Sequence, residues 1–100
     1  MPESVDLSRR VELSEAARFR AVCGEGVVLN QAVAEVLVVS PVGLRVLELM
    51  RDNGSIAATL TRLHDEYEVD EATLERDVLA FVRAMIDAGI LRLGAAESAP

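Results

Sequence analysis

Val36-Leu37-Val38-Val39-Ser40-Pro41-Val42-Gly43 is the stretch whose reading decides the fold. Consecutive apolar residues, three of them β-branched, read as a strand. Ser40 then reads as a helix N-cap, with Pro41 at the first helical position, where its missing N–H costs nothing. A strand that is apolar on both faces is normally covered on both. In a chain of 100 residues a small sheet cannot have both faces covered by its own helices. Part of this strand is therefore left for a partner, and binding leads over catalysis as the expected role.

Toward the N-terminus, Arg18-Phe19-Arg20-Ala21-Val22 alternates polar and apolar residues, the period of a strand with one wet face. Gly24-Glu25-Gly26 supplies the positive-φ freedom of a tight reversal. Val27 to Asn30 forms the next strand and returns through Gln31 to Ala34 into the third, Glu35 to Val39. Val11 to Leu13 adds a short flanking strand.

Toward the C-terminus the period changes to that of helices. Val42, Val46, Leu47, Leu49 and Met50 make one apolar stripe, and Asp52-Asn53-Gly54 ends it because Gly and Asn readily take the left-handed conformation past a helix end. Ser55 caps a second helix with apolar positions Ile56, Leu60, Leu63 and Tyr67. Asp70 caps a third, running to about Ala88 before Gly89, and Ile90 to Leu93 closes as an extended piece. Strands first and three helices afterwards make an α+β domain of winged helix-turn-helix type, with a three-stranded antiparallel sheet. Residues 1–8 and 95–100 are small, polar and aperiodic and read as disordered tails around one domain at 9–94.

Composition narrows the function classes. An apolar content of 51% with 27% charged residues is that of a globular protein, and no apolar run approaches the roughly 20 residues of a bilayer span. The acidic start Met1-Pro2-Glu3-Ser4-Val5-Asp6 has no apolar core of a signal peptide, and the single cysteine, Cys23, excludes an internal disulfide. The expected setting is cytoplasmic. Cys23 reads as a small hydrophobe in or beside a strand, since the sole histidine, His64, lies in a helical stretch with nothing else to define a site. The net charge is −7, and from Asp65 to Asp77 seven acids stand against one base, Arg76. Nonspecific attraction to nucleic acid or an anionic membrane is not expected. No metal-ligand cluster, Gly-rich phosphate loop or nucleophile–base pair is present, so neither a cofactor nor a catalytic residue is expected.

On the third helix, Leu74, Phe81, Val82 and Met85 lie within about 60° of Val78, at 100° per residue. That stripe suffices for the core. Leu79 and Ile86 widen it to one side, next to Arg83 and Glu75, and could either pack under the strands or form the second wall of a groove. Paired with the free edge of the third strand, such a groove suits an extended peptide that adds to the sheet through its main chain.

Several of these pieces together resemble the PqqD-like proteins, named after pyrroloquinoline quinone biosynthesis protein D and also called RiPP recognition elements. The resemblance covers residues 17–93. It rests on Val27-Val28-Leu29, on Val36 through Gly43, on Asp52-Asn53-Gly54, on Tyr67 closing the second helix, and on Asp77-Val78-Leu79-Ala80-Phe81-Val82 with Gly89-Ile90-Leu91. It implies a non-catalytic peptide chaperone. The leader segment of a ribosomally made precursor would bind between the third strand and the third helix and be presented to a modifying enzyme, such as a radical S-adenosylmethionine protein, a leader peptidase or a cyclase. Carried onto this chain, the strand side is Glu35, Val36, Leu37, Val38 and Val39, and the helix side is Asp77, Leu79, Val82, Arg83 and Ile86. Two departures stand out: Val39-Ser40 replaces a frequent Leu-Asn, and Asn53 is extra between Asp52 and Gly54.

Two other readings compete. A winged-helix DNA binder would use the third helix, where Glu71, Glu75, Asp77 and Asp87 oppose Arg76 and Arg83, the wrong balance for neutralising phosphates. A dimerisation module could pair the same strand edge with a second copy in a homodimer.

Overall fold

A computed structural model describes residues 9–96; the expected tail at 1–8, and residues 97–100 of the one expected at 95–100, lie outside them. The elements run β1 (Arg9–Leu13), β2 (Ala17–Val22), β3 (Glu25–Asn30), β4 (Glu35–Val39), α1 (Pro41–Asn53), α2 (Ile56–Glu66), α3 (Glu71–Asp87) and β5 (Leu91–Ala96). The three-stranded antiparallel sheet β2-β3-β4 followed by three helices matches the expected architecture.

Local chemistry sets the helix ends. Ser40 Oγ accepts from the Gly43 N–H at 3.0 Å, Ser55 Oγ from Ala58 at 3.1 Å and Asp70 Oδ2 from Thr73 at 3.1 Å, so each helix has one of its orphan amides satisfied. Gly54, at φ 68°, closes α1 in the left-handed conformation and returns its N–H to Met50 O. The extra Asn53 is a clasp. Its side-chain oxygen accepts from the Ser55 N–H at 2.7 Å and from Thr59 Oγ1 at 3.4 Å, while its carbonyl accepts from Arg10. That network explains why Thr59 is fully buried on α2 while Leu60 is only half-buried.

The core joins Leu47, Met50, Ile56, Leu63, Val82, Val28, Ile90 and Leu91 from both layers. Burying such side chains contributes roughly 1.5–3 kcal/mol each. Asn30, buried at the end of β3, ties sheet to helix: its Nδ2 donates to Ala88 O at 2.8 Å, and its Oδ1 accepts from the Ala32 N–H at 3.0 Å.

Three features depart from the sequence reading. The flanking segment at Val11 and the closing piece at Leu91 pair with each other as a second, two-stranded sheet, with Val11 opposite Leu93 and Leu13 opposite Leu91. β5 also continues to Ala96, past the domain end expected at residue 94. The β2–β3 reversal is made by Cys23 and Gly24, not by Gly24 to Gly26. Both turn residues have positive φ (51° and 82°), as a two-residue hairpin joining Val22 to Glu25 requires. Cys23 is therefore an exposed turn residue and not a small hydrophobe beside a strand. Gly26 lies within β3, where a Cβ would come 2.6 Å from Val39 Cγ2.

A left-handed conformation disfavours cysteine and suits asparagine. Cys23→Asn should stabilise the fold by about 0.5–1 kcal/mol, measured as a rise in the denaturant midpoint with an unchanged m-value. A lower midpoint would contradict the turn geometry.

Candidate functional site

β4 is an edge strand, hydrogen-bonded to β3 on one side only. Its outward row, Val36 and Val38, is 62% and 65% exposed, and continues across β3 through Leu29 and Val27, their register partners. The other row turns toward the helices: Glu35 is exposed at the strand start, Leu37 is half-buried and Val39 is buried.

Beside the end of β4 lies a cleft of about 490 Å³. Val42, Gly43 and Val46 of α1 form one wall, Leu74, Asp77, Val78 and Phe81 of α3 the other, and Tyr67, Glu68 and Val69 of the α2–α3 connection close one end. Gly43 links the cleft to the strand. A Cβ there would stand 3.0 Å from the Phe81 ring and 3.3 Å from Val39 Cβ, so the ring and the strand end both approach this glycine, and a methyl group would fit only if they gave by a few tenths of an ångström. Val42, Tyr67 and Val69, three of the larger apolar residues left exposed on the molecule, gather here. Exposed apolar residues that cluster in a concavity mark a binding site far better than scattered ones do.

Of the five helix residues drawn from the resemblance, Asp77 alone lines this cleft. Val82 is fully buried, and Leu79 and Ile86 are half-buried against the core. Arg83 is exposed beside that flank. At 100° per residue, Asp77 lies about 160° from Leu79 and about 180° from Ile86. The wide side of the apolar stripe is thus used for packing, and the cleft opens on the opposite side, at Asp77 and Phe81. Phe81, Val42, Tyr67 and Val69 line the cleft without being among the site residues expected from the sequence. Their signal is tertiary: Tyr67 and Val69 are ordinary in sequence, and only the fold brings them to Val42.

One polar contact ties α1 to the end of α2, next to the connection that closes the cleft. Arg45, between Val42 and Val46 on α1, donates from Nε and a terminal nitrogen to both oxygens of Glu66 at 2.8 and 2.7 Å, next to Tyr67. Its other terminal nitrogen reaches Glu48 at 3.2 Å. Bidentate guanidinium–carboxylate pairs add geometric specificity even at the surface, where their net energy is small. Among the described residues, no group of three or more His, Cys, Asp or Glu side chains is placed to hold a metal ion.

The family model for coenzyme PQQ synthesis protein D (PqqD) matches residues 25–91. The chain belongs to the PqqD family. This PqqD-family chain also superimposes on two solved structures. One is TbiB1 in complex with the TbiA(beta) leader peptide, at 27% identity and a TM-score of 0.76 over 85% of this chain and 98% of that one. The other is lasso peptide synthetase B1 complexed with the leader peptide, at 22% identity and 0.74 over 83% and 98%, a likeness of fold. A search of curated proteins returns no significant match.

The hydrogen bonds from Arg45 hold the Glu66 carboxyl below its ordinary value. A depressed carboxyl contributes stability above the unfolded value of about 4.3 and loses it as pH falls through the folded value. Glu66→Gln should therefore lower the melting temperature at pH 7, and the gap from the unaltered chain should close on acidification below about pH 4. Thermal melts by circular dichroism at both pH values check this, and a gap that persists in acid would refute the clamp.

Proposed function

We propose that the chain binds the leader segment of a ribosomally synthesised precursor peptide as an added strand on the free edge of β4, and presents it to a separate modifying enzyme. The observation that carries this reading is the adjacency of an unpaired strand edge and an apolar cleft, joined through Gly43. Edge amides and carbonyls give an extended chain its main-chain hydrogen bonds, and a cleft beside them gives alternate side chains their pockets. The other free edge, that of β2, has no such cleft beside it among those described. Membership of the PqqD family and the likeness to TbiB1, itself bound to a leader peptide, support the same reading.

On this reading Glu35 to Val39 offer the edge, Leu37 and Val39 flank its inner side, and Phe81, Val42 and Asp77 border the pocket. The peptide-binding unit takes in residues 9–94 together with the rest of β5. Chemistry belongs to the partner enzyme, for which the family resemblance implies a radical S-adenosylmethionine protein, a leader peptidase or a cyclase. No helix among the described residues is long and apolar enough to cross a membrane. A ribosomally made ligand places the encounter in the cytoplasm.

Fluorescence-polarisation titration of leader segments encoded beside this gene tests the proposal. Phe81→Ala and Val42→Glu should each weaken binding about tenfold, or about 1.4 kcal/mol, with unchanged far-UV circular dichroism, while Arg83→Ala leaves affinity near the starting value. N-methylation along the peptide should weaken binding at every second residue, since an added strand bonds the edge with that period. An unaltered dissociation constant for both cleft variants would overturn the site.

A further inference from the structure

The charges around the cleft are one-sided. Glu68 and Asp77 line it, and no arginine does. Glu68 has no hydrogen bond or ion pair among the described residues. Asp77 meets only its chain neighbour Arg76, at 3.6 Å, with the side chains 66% and 75% exposed. Adjacent residues on a helix do not face each other, so this pair is a loose one. The other cation nearby, Arg45, is paired with Glu66 and Glu48 and does not line the cleft. The walls themselves are hydrocarbon: Val42, Val46, Leu74, Val78 and Phe81.

We propose that the cleft selects peptides in which a lysine or arginine lies beside the large apolar anchor, with Glu68 and Asp77 as the residues that read the cation. This deepens the leader-peptide reading and rests on it. Low-dielectric walls beside two incompletely neutralised carboxylates strengthen their field over the cleft mouth. A cationic stem also covers apolar surface while its head stays at the wet rim. An acidic side chain at the same position would meet like charge without a compensating donor. Rim charges of this kind act on discrimination and association rate more than on total affinity.

The probe is a displayed library of random twelve-residue peptides, selected on the full chain and, in parallel, on the Glu68→Gln/Asp77→Asn double variant. Both substitutions are exposed and near-isosteric, so the fold is preserved. With the unaltered chain, the selected peptides should share a large apolar residue and carry Lys or Arg at one fixed offset from it, with Asp and Glu depleted there. With the double variant the apolar preference should remain and the basic one disappear. Replacing the selected lysine by norleucine should weaken binding about three- to tenfold at low salt and less at high salt. A shared apolar anchor with no basic enrichment, or a basic enrichment that survives in the double variant, would overturn the charge reading and leave peptide binding standing. Failure to select any peptide on either protein would overturn both.

Discussion

The contact on which the rest of the site depends is the meeting of Val39, Gly43 and Phe81. β4 passes into α1 through Ser40 and Pro41 without an intervening loop, so the strand and the first helical turn act as one rigid corner. Gly43 sits in that first turn, and its bare Cα lets both the Phe81 ring of α3 and the end of β4 at Val39 approach it closely. A methyl group there would make the Phe81 ring or Val39 give by a few tenths of an ångström. Cores transmit such displacements because they are packed to crystal-like density. The bare Cα of Gly43 thus lets α3 and the strand end both stand close to the first turn of α1, at the side of the cleft.

The fold was legible wherever its cause is local. Ser40-Pro41, Ser55, Asp70 and Gly54 announce helix ends through hydrogen bonds within a few residues, and the alternation in β2 shows its wet face directly. The pairing of β1 with β5 was not legible, because Val11 and Leu93 are far apart in sequence and neither segment carries a signal for the other. The reversal at Cys23-Gly24 was obscured by Gly26. A strand glycine looks like a turn residue when its true reason, Val39 lying 2.6 Å from where a Cβ would stand, is tertiary.

The site shows the same division. A helical wheel gives the width of the apolar face of α3 and not the direction in which its surplus points. Leu79 and Ile86 extend the stripe on one side and Phe81 on the other. Which side meets the core depends on where α2 and β5 pack. Leu79 and Ile86 go to the core, and Phe81 keeps part of its ring at the cleft. The strand half needed less, since the last of three strands joined in sequence order by hairpins lies at an edge.

An unpaired edge is a hazard as well as a site, because it can pair with any other edge. Here the hazard is bounded by the same corner that makes the cleft. β4 is only five residues long, it opens with Glu35, and Pro41, just past its end, has no N–H to extend a ladder. A second copy offering its own β4 would have to bring α1 along, since Ser40 and Gly43 fix that helix to the strand end, and two copies of the corner would have to fit against each other. A single extended peptide has no such bulk and can lie within strand spacing of the edge, about 4.8 Å, while its side chains enter the cleft. Short length and rigid attachment thus favour a thin, flexible partner over another folded edge, which is why the geometry suits a peptide better than a homodimer.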